Sequence, residues 1–348
     1  MKLTNDLSLP QPIVDAVAFD PYTQGDADIS VTAMVAPVRQ TTLLRFHDGE
    51  LVEDASDRIW SMVGQVGHLI LERAAEAQWN EFQRQRFGNS DQGLADHLAA
   101  GGSLDETGDD GLPIRLKSIS EQRLYLDVPL PDGSTYRLSG KADHLTIEDG
   151  VLRDWKFVSV WSIKDGAKSD WIEQTNTYAE IFRAHGQTIN RIEIYAILRD
   201  WRKNEAKRYG GHNGDYPQKQ VGVVPVPLWS SEEARAFITE RCAAHKAARA
   251  SYANVLPTLP HCSPSERWEK PTMYAVMKPK RKSAVRVLPD LAAAEARAKE
   301  EGAGATVVVR PGASVRCQDY CAAATMCRRL ADGQFTGEEF NDNAEDPE

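Results

Sequence analysis

Two stretches of this sequence, and two pairs of helical residues, could do chemistry. The first stretch is Gly140-Lys141-Ala142-Asp143, followed by Asp154-Trp155-Lys156. Side chains alternate faces along a strand, so Asp154 and Lys156 point one way and Trp155 and Phe157 the other. With Asp143 on the preceding strand, two carboxylates and one ammonium meet on an otherwise apolar sheet. Burying them costs several kcal/mol unless a metal, a partner or mutual pairing compensates. Taken alone, a D-x-K triplet reads as a salt bridge. The second stretch is Cys317-x3-Cys321-x5-Cys327, three thiols spaced to converge on one centre, with Cys262 the choice for a fourth ligand. Tetrahedral zinc and a [4Fe–4S] cluster both need four thiolates, and free thiols are the remaining reading. Cys242, alone in an Ala-rich helix, reads as a buried small hydrophobe.

Two helical pairs accompany these stretches. His68 and Glu72 are four apart, as are Gln174 and Tyr178, so each pair shares a helix face. A helical His beside Leu69 and Ile70 is ordinarily packed or solvated, and a Gln–Tyr pair can simply line a polar helix surface.

The elements that must position these residues are legible in outline. Pro131-Asp132-Gly133 and Glu148-Asp149-Gly150 read as tight turns, each ending in a Gly that tolerates positive φ. They separate three segments rich in β-branched and aromatic residues, the middle one running unbroken over 135–148. Small polar residues at Asp54-Ala55-Ser56 cap a helix with an apolar stripe of Ile59, Met62, Val63, Val66, Ile70 and Leu71. A second helix is expected over 169–184, then a strand at 191–198, which a right-handed crossover places parallel in the same sheet. The order is αβββαβ. Residues 30–39 read as extended, 88–112 as a long Gly- and Asp-rich loop, and 231–253 as a helix opened by Ser-Ser-Glu-Glu. Between 199 and 229, Arg and Lys mix with aromatic residues, a composition that can grip a DNA strand or simply be a solvated loop.

Taken in order, Gly140-x-x-Asp143, Asp154-x-Lys156 and Gln174-x3-Tyr178 resemble the motifs of the PD-(D/E)xK nuclease superfamily. The narrower likeness is to the branch of the RecB nuclease domain and the CRISPR-associated adaptation exonucleases. The resemblance implies a restriction-endonuclease-like α/β fold with a C-terminal cysteine-ligated cluster subdomain. It makes Asp143, Asp154, Lys156, Gln174 and Tyr178 the catalytic set. It also implies that His68, in Gly64-x3-His68, joins Asp143, Asp154 and the Trp155 carbonyl around one or two Mg²⁺ or Mn²⁺ ions. An imidazole ligand tilts the preference toward Mn²⁺. The branch often carries a short C-terminal three-cysteine run holding a [4Fe–4S] cluster, which favours iron–sulfur over zinc at Cys262, Cys317, Cys321 and Cys327. In many relatives the lone cysteine precedes the nuclease motifs, and here no cysteine precedes Cys242. The corresponding domains are an N-terminal arm at 1–53, a nuclease core at 54–255, a cluster subdomain with an inserted hairpin and helix at 256–332, and an acidic tail at 333–348.

At 348 residues, with 41% hydrophobic and 26% charged residues, the chain can bury a substantial core. The net charge of −10 argues against a uniformly basic nucleic-acid binder but not against a local groove in which metal ions supply positive charge. No apolar run approaches the ~20 residues of a membrane span, and MKLTNDLSLPQP lacks the apolar core of a secretory signal, so the expected location is cytoplasmic. The expected activity is that of a metal-dependent DNA exonuclease preferring single-stranded ends. Its setting is recombination, repair or phage DNA metabolism, with room for a recombination partner protein and an oligomer. A CRISPR-adaptation end-trimming nuclease and a non-catalytic DNA-end-binding adaptor are the alternatives. No P-loop occurs, so unwinding would fall to a partner.

Overall fold

The computed structural model describes residues 2–19, 23–87, 118–209, 216–254 and 259–331, the side chains of 75–87 and 253–254 excepted. The loop expected at 88–112 and the acidic tail lie outside these residues. The architecture is mixed α/β. The chain divides into two units, residues 3–35 with 53–244 and residues 1–2 with 36–52 and 245–348.

The larger unit holds two sheets. In the five-stranded sheet, Val151–Val158 lies beside Arg191–Leu198 in parallel, and Val221–Val226 adds antiparallel to its far side. His144–Thr146 and then Ser118–Ile119 extend the other side antiparallel. The parallel pair follows from the connection, because the helix Ser169–Ala184 carries the chain back before the second strand begins. Arg191–Leu198 buries Ile192, Ile194, Ala196 and Leu198, the period-2 pattern of a strand with one face in the core. The three-stranded sheet pairs Thr135–Lys141 antiparallel with Arg123–Pro129 and parallel with Ile29–Ser30.

The long middle strand expected over 135–148 is therefore two strands in two sheets. Thr135–Lys141 belongs to one, His144–Thr146 to the other, and the chain bends at Ala142-Asp143. Both predicted turns hold, with Gly133 at φ 82° and Gly150 at φ 62°. Gly140 packs closely on the Ser169–Ala184 helix, where a Cβ would lie 2.7 Å from Ile181 Cδ1 and 3.1 Å from the Tyr178 ring.

The N-terminal arm expected at 1–53 is built of regular elements. It contains the helices Gln11–Ala18, Val31–Val35 and Val38–Phe46 and the sheet strand Ile29–Ser30. The extended reading of 30–39 fails because Val31 and Met34, one helical turn apart, are buried, and packing outweighs β-propensity in so short a run.

In the smaller unit, Met273–Met277 is flanked antiparallel by Arg286–Leu288 and Thr306–Arg310, with the helix Leu291–Glu301 between the last two in sequence. Glu269–Lys270 pairs with Ala313–Ser314, so this inserted subdomain leaves and returns through one short ladder. No helix among the described residues is long and apolar enough to cross a membrane.

Candidate metal centre and cysteine cluster

The helix Ile59–Phe87 follows a 3₁₀ turn, Ala55–Arg58, that Asp54 caps by accepting from the Ser56 N–H at 2.9 Å. Its Gly67 rests on the Phe157 ring, where a Cβ would come within 2.0 Å, and that close approach brings His68 to the sheet. Gly64, the glycine that the motif reading singled out, has open space instead.

His68 Nδ1 lies 3.4 Å from Asp143 Oδ1 and 3.6 Å from Glu121 Oε1. These three residues present ligand atoms within 4.8 Å of one another. Asp143 sits in the bend between the two sheets, and its other oxygen accepts from the Trp155 backbone N–H at 2.6 Å. The N–H and C=O of a strand residue leave the same edge, so the Trp155 carbonyl opens on this side too. Hydrogen bonding from Asp143 and then Glu121 outweighs desolvation and raises the His68 pKa to about 10. Without a cation, His68 is thus an imidazolium that holds two carboxylates together.

Asp154 and Lys156 share a face, as strand alternation requires, and their charged atoms are 2.7 Å apart. Asp154 is buried, and burial pushes its carboxyl up to about 6, with Lys156 opposing and Asp143 reinforcing the rise. Burial works against the Lys156 ammonium, but Asp154 and Asp143 prevail and raise its pKa. Lys156 Nζ donates to Gln174 Oε1 at 3.1 Å, and Gln174 Nε2 donates to the Tyr178 hydroxyl at 3.2 Å. Burial, with the nearby Asp154 charge, holds the Tyr178 phenol well above its usual range.

The expected residues therefore form two adjoining groups. His68 and Asp143 meet as anticipated, with the Trp155 backbone beside them. Asp154 faces Lys156 and lies outside the three-residue group, which Glu121 completes. Glu121 is the functional candidate that sequence reasoning missed. It has a left-handed backbone at φ 52°, and its N–H donates to the Ala142 carbonyl at 3.0 Å. Its side chain is held by Lys141 at 2.9 Å, and Lys141 also reaches Glu72 at 3.2 Å. Its sequence neighbours, Ser120 and Gln122, carry no motif; only its place just before a strand could have drawn notice.

Cys317 lies in the helical turn Arg316–Tyr320, Cys321 just after it, and Cys327 in the helix Ala324–Ala331. Cys262 joins them. Burial raises its thiol to about 11, and Glu266 and the charges of Cys327, Cys317 and Cys321 push the same way, which places all four thiols in one neighbourhood. The buried Arg39 donates from Nε to Cys327 Sγ at 3.0 Å and from Nη1 to the Leu259 carbonyl at 2.9 Å. Cys242 is fully buried in the core of the larger unit.

No protein-family model matches the chain, and no curated protein matches it. Among solved structures, one described as the crystal structure of SSO0001 aligns with a TM-score of 0.40 and 13% identity, over 74% of this chain and 87% of that one. That likeness is too distant to speak to function.

Proposed function

We propose that the protein is a metal-dependent deoxyribonuclease of the PD-(D/E)xK type, acting as an exonuclease on single-stranded DNA ends. Its larger unit is read as a restriction-endonuclease-like core. The observation that carries this reading is the adjacency of the His68–Glu121–Asp143 group to the Asp154–Lys156–Gln174–Tyr178 chain. Four carboxylates, counting Glu72, face His68, Lys141 and Lys156 here, a surplus of negative charge that suits a divalent cation.

Asp143, Glu121 and neutral His68 would hold Mg²⁺ or Mn²⁺, with Asp154 and the Trp155 carbonyl completing the set. The bound ion supplies Lewis acidity toward the phosphodiester and an acidified water. Lys156 orients the attacking water and faces the charge that develops on the phosphate oxygens. Gln174 fixes the direction of the ammonium, and Tyr178 fixes Gln174. Asp154 keeps Lys156 protonated while no substrate is present.

The four-cysteine centre of the smaller unit is read as a [4Fe–4S] site. The short C-terminal run Cys317-x3-Cys321-x5-Cys327, with Cys262 in its neighbourhood, supports this reading through its likeness to the cluster-bearing branch. Arg39 supplies a charge-assisted hydrogen bond to one ligand sulfur.

The test is digestion of end-labelled linear and covalently closed circular single-stranded DNA with Mn²⁺, using anaerobically prepared protein. Loss of the linear substrate alone supports the exonuclease. Cleavage of circles replaces it with an endonuclease on the same chemistry, and no cleavage of either sinks the enzymatic reading.

A further inference from the structure

We infer that Trp60, Trp161 and Arg199 form a stacking platform for single-stranded DNA, gripping the bases that adjoin the phosphate being cleaved. The inference rests on the nuclease reading and adds how that site takes its substrate. Trp60 and Trp161 are each 58% exposed, a costly placement for indole rings that serve no core. The Arg199 guanidinium lies 4.4 Å from the centre of the Trp60 ring, so the exposed indole is already a cation–π pair.

Both rings are mounted rather than loose. Asp200 accepts from the Ser159 hydroxyl at 2.7 Å and from the Val160 N–H at 2.8 Å, pinning the turn Val160–Ile163 that presents Trp161. The Trp161 ring meets the buried Tyr216 edge-on at 6.0 Å. The Arg199 N–H donates to the Val158 carbonyl at 3.0 Å, at the end of the same strand that carries Asp154 and Lys156. Trp60 stands eight residues before His68 on one helix, about 12 Å along its axis at 1.5 Å per residue. A short run of nucleotides spans that distance, so a strand with its phosphate at His68 can lay neighbouring bases on the platform.

The charge there also suits a polyanion. Residues 199–209 carry five basic side chains against two acidic ones, in a chain whose net charge is −10. One of those acids, Asp200, is engaged in the turn, and Arg208 stacks on the half-exposed Tyr209 at 5.1 Å. Every base has a π-face, so stacking is tolerant of sequence, and only an unpaired strand offers those faces freely.

The experiment measures binding of the full-length protein to fluorescently labelled oligothymidylate and to an abasic strand of equal length, with Ca²⁺ replacing Mn²⁺. Trp60→Ala and Trp161→Ala should each weaken oligothymidylate binding by roughly tenfold. Trp161→Phe should keep most of the affinity. The abasic strand should bind weakly and equally to wild type and variants. Cleavage of the abasic strand with Mn²⁺, which offers phosphodiesters but no aromatic faces, should be the same in all of them. Equal wild-type affinity for the two strands, or unchanged affinity in both alanine variants, overturns the platform even where DNA is cleaved. The expected binding pattern without any cleavage leaves the platform standing and removes the nuclease reading instead.

Discussion

The Lys156 ammonium donates to the Gln174 side-chain oxygen at 3.1 Å while it pairs with the buried Asp154 at 2.7 Å. A strand residue is thereby aimed by a helix residue eighteen positions later, and one cation serves both as counter-ion and as candidate catalyst.

That double role governs the first prediction. Lys156→Ala should lower cleavage at least a hundredfold and also destabilise the fold by roughly 1–3 kcal/mol, because Asp154 is left buried without its partner. Lys156→Met combined with Asp154→Asn should recover most of the melting temperature and none of the activity. Recovery of cleavage by the pair would remove Lys156 from the mechanism. Gln174→Ala should reduce turnover by about tenfold with little change in stability, since it loosens the ammonium without stranding a charge.

The two glycines before His68 should behave differently. Gly64→Ala should be neutral or stabilising by up to about 1 kcal/mol, from helix propensity alone. Gly67→Ala meets the Phe157 ring and should cost about 1–3 kcal/mol while displacing His68 from Asp143. Thermal melts with Mn²⁺ titrations of both variants check this; equal behaviour would contradict the packing described.

His68 makes metal-free stability depend on pH. Its folded-state pKa of about 10 lies above the ordinary 6.5, so the stabilisation is fully present below about 6.5. It is lost as pH rises through about 10. The melting temperature of metal-free protein should fall over that window more steeply in wild type than in His68→Ala. Saturating Mn²⁺ should reverse the trend, because a cation competes with the proton for the imidazole. Parallel melting curves for wild type and His68→Ala would refute the ion-paired imidazolium.

Anaerobically purified protein should carry iron and acid-labile sulfide, with broad visible absorbance. Replacing Cys262, Cys317, Cys321 or Cys327 by Ser should abolish that absorbance, and Cys242→Ser should leave it intact. Arg39→Gln should retain iron but alter the reduction potential, as loss of a hydrogen bond to a ligand sulfur does. Stoichiometric zinc without sulfide would replace the cluster assignment.

Much was legible in local pattern. The turns at Gly133 and Gly150, the helix that carries Gln174 and Tyr178 on one face, and the shared face of Asp154 and Lys156 all follow from backbone periodicity and glycine sterics, which act over a few residues. Cys262 as companion of the C-terminal thiols followed from counting. Tertiary structure alone decided the rest. The bend at Asp143 splits one apparent strand between two sheets, because Thr135–Lys141 pairs with Arg123–Pro129 while His144–Thr146 pairs with Val151–Val158. Glu121 joins His68 and Asp143 through a left-handed backbone and a bond to Ala142, neither of which leaves a residue pattern. Gly67, not Gly64, is the glycine that matters, since a close approach depends on what lies opposite. Residue type and spacing determine which groups can share a face; only the packing of one element against another determines which of them meet.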